Sequence, residues 1–378
     1  MRLRSPVALR YNLLKQAHAP HGAEQSTIAE EDEQMRAKNG LATKLLKRSE
    51  IPVLAATLLL CAVFASVSDN FFSAYNVYNI LRTAAIYVFI ALAQTSVMMI
   101  GGTSLCIGYI GAMAVVTAGH CMQELGMGGA ISTVLALAIA AICGLVNGLV
   151  ITRLKLSAFV TTLATQFIFK GLVTGISKGF PYTSLSPNYA DFGRGSFLGI
   201  PLIALLAVAT LVLVWYILRY TVAGRKLLAT GGSLRAAKMA AVNTDRMILI
   251  ANIASGFFCG VAAVCTMSLN GMGQPTTGTD WMLYSFAVSV IGGTGLAGGV
   301  VCPAGLAIAA VLFVIIKNGL VLINANVYFE QTYLGLILLV ACSLGVISDM
   351  IGAARRRREF RLAQAKKVKQ PADAADEK

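Results

Sequence analysis

The sequence predicts an all-α, polytopic membrane protein of about ten transmembrane helices, with short or broken helices at glycine-rich segments. Of its 378 residues 57% are hydrophobic and 13% charged, about half the charged share of an ordinary soluble domain. Apolar runs of about 20 residues, enough to cross a hydrocarbon core of roughly 30 Å, recur along most of the chain. The aromatic residues do not follow the alternation of an outer-membrane barrel, and helices are the other structure that satisfies every backbone group in lipid.

Residues 1–50 contain no apolar core that would make a signal peptide; they mix basic, amide and acidic side chains, including Glu30, Glu31, Asp32 and Glu33. They are expected to be a polar cytoplasmic tail, partly disordered. Ten apolar runs follow within 51–352, at 51–68, 83–100, 105–121, 129–151, 157–175, 198–218, 247–269, 283–297, 300–317 and 333–351. With the amino terminus inside, the inward segments hold 26 of the 31 Lys and Arg. This bias orients the chain with both termini cytoplasmic, and the basic stretch 353–378 becomes a second cytoplasmic tail. It also accounts for the net charge of +14 by the lipid bilayer, with no nucleic acid as partner. The long segment 176–197, rich in Pro, Gly and aromatics, falls outside as a folded loop. The loop 219–246 falls inside and carries six basic residues, with a short helix expected over 234–242.

The chemistry that is missing narrows the function. The chain has no Gly-x-x-x-x-Gly-Lys-Ser/Thr segment, so it has no phosphate-cradling loop of that kind. No Asp or Glu falls well inside an expected span, which argues against a proton- or ion-coupled secondary carrier. Three histidines, two of them in the amino-terminal tail, and eight cysteines without a Cys-x-x-Cys pair leave no metal site, and no cofactor is implied. A membrane-integral enzyme or scaffold, the other class considered, would need a concentrated polar site at one interface. Lys170 and Lys317 are expected to snorkel.

What the spans do offer is uncharged polarity, at Gln94, Thr95, Thr103, Asn147, Thr161, Thr162, Gln166, Asn252, Asn270 and Asn318. Together these suit a path for a neutral, polyhydroxylated solute. Ile100-Gly101-Gly102-Thr103 recurs as Ile291-Gly292-Gly293-Thr294, and repeats with glycine-broken helices mark transporters. The expected path is Gln94, Gly101, Gly102, Thr103, Asn147, Gln166, Gly292, Gly293, Thr294 and Asn318.

Gly224-Arg225, Gly231-Gly232, Ala236-Ala237, Gln274 to Thr279 and Ile291 to Gly299 occur in order, with Asn79 to Arg82, Asn147-Gly148 and Asn318-Gly319-Leu320. In this order and spacing the chain, over about 51–352, resembles the permease subunits of ribose-type sugar ABC importers. The resemblance implies a bacterial inner-membrane channel that does no covalent chemistry. Its implied partners are a cytoplasmic ATP-binding subunit, a periplasmic or extracellular solute-binding protein, and a second permease, identical or not. Three acids typical of that family are replaced here, at Ser104, Met282 and Tyr284. A chain with no nucleotide loop must receive work from a partner, and 219–246 is the one inward loop between spans long enough to receive it. The ATPase-coupling residues expected there are Gly231, Gly232, Leu234, Arg235, Ala236, Ala237 and Ala241, with Leu234, Ala237 and Ala241 on one helical face. A reporter fused after Gly352 is expected to be active only on the cytoplasmic side; activity outside overturns this topology.

Overall fold

The computed structural model describes residues 50–322 except 188 and 198, with 329, 331–333, 335 and 336 beyond them. The tail 1–49, most of the tenth expected span at 333–351 and the tail 353–378 lie outside the described residues. The chain divides into two units between Pro52 and Val53, and the description below concerns the second.

Its elements run α1 (Glu50–Val67), α2 (Ala74–Met98), α3 (Ile107–Gln123), α4 (Gly129–Leu154), α5 (Ala158–Ser177) and a short α6 (Tyr189–Arg194). A hairpin of β1 (Ser196–Phe197) and β2 (Ile200–Pro201) follows, pairing Ser196 with Pro201 and Phe197 with Ile200. Then come α7 (Leu202–Tyr220), α8 (Val222–Gly232), α9 (Leu234–Met239), α10 (Thr244–Asn270), α11 (Trp281–Ile291) and α12 (Pro303–Leu322). Nine of these helices stand where the first nine spans were expected. Six, α2, α4, α5, α7, α10 and α12, are long and apolar enough to cross a membrane, while α1 and α11 hold shorter apolar stretches.

Local chemistry sets the boundaries. α2 begins nine residues before the expected span because the Ser73 hydroxyl caps it, accepting from the Asn76 N–H; Ser157 and Asn243 do the same for α5 and α10. Pro303 opens α12, where its missing N–H is no loss. The loop 219–246 differs from the single short helix expected. Thr221 caps an additional helix, α8, and α9 stops at Met239 because Ala241 takes a left-handed φ of 56°.

α2 is the buried axis, with 83% of its apolar window inside the protein. It packs against α10, α11, α12 and α7, and α10 in turn packs along α4 and α3. α4 and α7 are more apolar than α2 yet mostly open, the order expected when hydrocarbon, not water, surrounds the helices. Where α4 meets α10 there is no room for side chains. A Cβ on Gly144 would collide with the Asn252 carbonyl, and one on Gly256 with that of Ala140.

Two shorter helices are preceded by non-helical chain. α3 has 17 residues and is preceded by the unwound segment 103–106. α11 has 11 and is preceded by 271–280, which lies along a glycine face of α3. Gly108 backs onto Gly278, Gly111 onto the Trp281 ring and Gly119 onto the Tyr182 ring, while Tyr182 and Gly273 exchange backbone hydrogen bonds of 2.8 Å.

Replacing Gly256 by Ala is expected to lower stability by about 1–3 kcal/mol through overpacking. Gly171→Ala, where a Cβ meets open space, should be neutral or slightly stabilising. Thermal unfolding in detergent compares the two; equal midpoints would refute the tight α4–α10 contact.

Candidate functional site

Glycines bring three distant segments together at the end of the bundle where α2 closes. The Gly299 N–H donates to the Met99 carbonyl at 2.9 Å. Gly231, in the last turn of α8, leaves no space for a Cβ against the Met99 carbonyl and the Gly299 nitrogen. Gly298 is equally close to Gly101, the Cβ position lying 2.6 Å from the Gly101 nitrogen and 2.9 Å from the Gly231 carbonyl. A small apolar core of Met99, Leu218, Leu227, Met247 and Ala251 supports this junction. The end of α8 therefore touches the break after α2 at Met99 and the Gly298–Gly299 segment that follows the break after α11.

Both breaks are Schellman terminations. After α2, Gly102 N–H reaches the Val97 carbonyl (3.1 Å) and Gly101 N–H that of Met98 (2.9 Å). After α11, Thr294 N–H reaches Ser289 (2.9 Å) and Gly293 N–H reaches Val290 (3.0 Å). The left-handed glycine is the first of the pair in one copy, Gly101 at φ 78°, and the second in the other, Gly293 at φ 86°. Gly292 remains near the helical region and packs on Leu306 instead.

The expected path residues fall into separate places. Thr294 joins Thr95 and Ser289 in a buried hydroxyl cluster, with Thr95 Oγ1 donating to Ser289 Oγ at 3.1 Å and Ser289 Oγ to the Ala91 carbonyl at 3.1 Å. Asn147 faces the unwound segment: its Nδ2 donates to Cys106 Sγ at 2.9 Å, and its Oδ1 has no partner. Thr162 on α5 accepts the Leu105 N–H at 3.1 Å and stands 3.5 Å from the Thr103 carbonyl. Gln94 is wholly buried with neither amide atom partnered, and Gln166 is half-buried with its Oε1 unpartnered. Asn318 belongs elsewhere. It forms a reciprocal amide pair with Asn76 (2.7 and 3.0 Å) at the opposite end of α2, a clasp between α2 and α12.

Two further expectations change. Lys317 does not stretch away from the bundle; its ammonium stands 5.8 Å over the Tyr284 ring, which meets Tyr87 edge-on. Ala237 does not share an outward face with Leu234 and Ala241. It is buried at 3% exposure, whereas Met239 is 90% exposed and Leu234, Arg235 and Lys238 are open beside it. Cys106, Thr162, Ser289, Gly278 and Met239 were not among the expected site residues. The 274–279 motif and the polar residues in the spans carried part of that signal, but exposure on so short a helix has no periodicity to reveal it.

The opposite end is closed by α6 and the hairpin. Arg82 donates to the Gly193 carbonyl at 2.7 Å, the Gly193 N–H to Ser268 Oγ at 2.7 Å, and Ser268 Oγ to the Tyr189 carbonyl. Burial pushes the Tyr189 phenol up to about 12, so it stays protonated throughout the neutral range.

Residues 76–342 match the family described as branched-chain amino acid transport system / permease component. The chain belongs to this permease family. It is 32% identical to the ribose import permease protein RbsC of Bacillus subtilis over 289 residues, 76% of this chain and 89% of that one. Identity to the fructose import permease protein FrcC of Rhizobium meliloti is 28%, over 78% of this chain and 84% of the relative. For the galactose/methyl galactoside import permease protein MglC of Escherichia coli K12 it is 28%, over 82% and 96%. No solved structure gives a significant match. As a member, the chain is a multi-pass inner-membrane protein and a transport subunit that does no catalysis itself.

In this permease, Asn318→Ala is expected to destabilise by about 1–2 kcal/mol by orphaning Asn76, while the KM for transport stays unchanged. A raised KM with unchanged thermal stability would return Asn318 to the path.

Proposed function

We propose that the chain is the transmembrane subunit of an ATP-driven importer of a monosaccharide or similar neutral polyol. In this reading a separate cytoplasmic ATPase supplies the work, a solute-binding protein delivers the solute at the other face, and a second permease, identical or related, completes the channel. Both termini and α8–α9 are cytoplasmic, residues 51–352 form the permease domain, and 1–50 and 353–378 are flanking tails. The relatives named above are import permeases for ribose, fructose and galactose by name, which supports the solute class. The uncharged polar atoms at Gln94, Asn147, Thr161 and Gln166 suit hydroxyl groups and offer no counter-charge for an ion.

The observation that carries the mechanism is the contact of Gly231 with Met99 and Gly299. Leu234, Arg235, Lys238 and Met239 form the exposed surface that receives the ATPase, with Gly231, Ala236, Ala237 and Ala241 shaping it. When the paired ATPases close on ATP, they push α8–α9. Gly231 has no side chain to absorb that displacement, so it passes to the segments after α2 and α11. Those segments carry Gly101, Gly102, Thr103, Gly292, Gly293 and Thr294, and their shift alternates access to the path. Ser104, Met282 and Tyr284 stand where the resemblance to ribose-type permeases implies acids. Ser104 and Tyr284 are buried and Met282 is part exposed, so this permease meets its solute with neutral groups there.

Two neighbouring glycines test the reading. Gly231→Ala is expected to reduce uptake at least tenfold while the ATPase still co-purifies. Gly232→Ala, where a Cβ meets nothing within 4 Å, leaves uptake near normal. Met239→Glu is expected to weaken ATPase binding itself. Normal uptake by Gly231→Ala, measured in cells expressing the whole importer, would sink the coupling role.

A further inference from the structure

The segment 103–106 ends at the amino terminus of α3, and the polar atoms around it are incompletely used. Cys106 is the N-cap residue, but its side chain makes no capping hydrogen bond. The N–H groups that open α3 therefore lack a side-chain acceptor, at a point where the backbone is surrounded by the bundle. Asn147 on α4 is 1% exposed. Its Nδ2 is fixed on Cys106 Sγ at 2.9 Å, which holds the amide against this helix end, and its Oδ1 is buried without a partner. A buried carbonyl oxygen left unpaired costs about 1–3 kcal/mol. α5 packs beside this segment through Thr162, which is bound to Leu105; one residue before it the same helix carries Thr161, 2% exposed with an unpartnered Oγ1, and one turn after it Gln166, with an unpartnered Oε1. α5 is also the least apolar of the six long helices, yet only 28% of its apolar window is buried.

We propose that this corner is a solute subsite within the membrane, made for the hydroxyl edge of a neutral sugar or polyol. The chemistry selects among ligands. Asn147 Oδ1 and Gln166 Oε1 accept hydrogen bonds, and the opening N–H groups of α3 donate them. A carboxylate or phosphate would satisfy the donors but set its own lone pairs against both amide oxygens. An ammonium group would do the reverse. A hydroxyl accepts from the helix end and donates to an amide oxygen, so two hydroxyls on adjacent carbons span Asn147 and its neighbours, with Thr161 able to act either way. Unpaired polar atoms that a passing solute completes give a permease its own discrimination, separate from that of the protein that delivers the solute.

This subsite rests on the reading of the chain as a sugar importer, and the experiment separates the two. The permease is reconstituted with its ATPase and binding protein in proteoliposomes, and uptake of D-ribose, D-fructose and D-galactose is measured. Whichever sugar is carried is then compared with its single-deoxy analogues in wild type, Asn147→Leu and Gln166→Leu. Because the binding protein is the same in every arm, its preference cancels in the ratio of variant to wild type. Asn147→Leu is expected to lower uptake of the parent sugar about tenfold, the worth of one buried hydrogen bond. It should also erase discrimination against one deoxy position by a similar factor. Gln166→Leu should do the same at another position, and it carries the test alone if the buried Asn147 variant does not assemble. Equal loss for the parent sugar and every deoxy analogue, or unchanged uptake in the assembled variants, overturns the subsite. Carriage by the wild type of no member of a panel of monosaccharides and polyols that includes these three overturns the reading of the importer and the subsite with it.

Discussion

Backbone lying on backbone with no side chain between is the interaction on which the rest of this structure depends. Hydrocarbon gives apolar surfaces no reason to separate from it, so helices in a bilayer associate by close packing and by hydrogen bonds that lipid does not compete for. Glycine at Gly144 and Gly256 lets α4 reach α10, and glycine at Gly108 and Gly111 lets the turns before α11 and the Trp281 ring lie on α3. Non-helical backbone inside a bilayer is tolerable only where protein covers it. The same device, used at Gly101, Gly231, Gly298 and Gly299, joins the end of α8 to the break after α2 and to the chain that follows the break after α11. Stability and the transmission of movement therefore rest on one kind of contact, and a methyl group is enough to disturb either.

Much of the fold was legible because span length and composition are set by the bilayer. Nine of the ten expected positions fall on helices, and α2 and α11 end where Ile-Gly-Gly-Thr was read as a break. Other features were not legible. α8 was missed because Val222–Gly232 is short, basic and glycine-ended, a composition that also describes a solvated loop. The burial of Ala237 depends on α9 stopping at Met239, and that depends on a left-handed residue, Ala241, that is not a glycine. Asn318 was grouped with the path as a polar group in an apolar span and as part of the Asn318-Gly319-Leu320 motif; its pairing with Asn76 depends on the packing of α12 on α2, which no local pattern shows. Asn147 and Gln166 were identifiable as polar groups in apolar spans, whereas the unpaired state of their oxygens is a property of the assembled bundle.

Polarity is distributed opposite to the rule for soluble proteins. The most enclosed helix, α2, carries Gln94, Thr95 and Ser96, all buried, while α4 and α7 turn leucine, valine and isoleucine outward. α5 breaks this pattern, being comparatively polar and comparatively open. A helix of that kind is uncomfortable against lipid tails. The clasp of Asn76 with Asn318 and the network of Arg82, Gly193 and Ser268 hold the far end of the bundle, so the two ends are secured by different chemistry, side-chain amides and a guanidinium at one and bare peptide groups at the other.

The offset between the two helix terminations bears on how the chain acquired its form. Aligning the tetrapeptides letter for letter pairs Gly101 with Gly292, but by backbone conformation Gly101 corresponds to Gly293. One residue is a rotation of about 100° around a helix axis, so equivalent letters in the two copies look toward different neighbours. If the copies descend from a common ancestral segment, they have slipped in phase since, and glycine's indifference to handedness is what made the slip survivable. An inventory of related chains aligned by letter would then mix two structurally distinct glycines in one column.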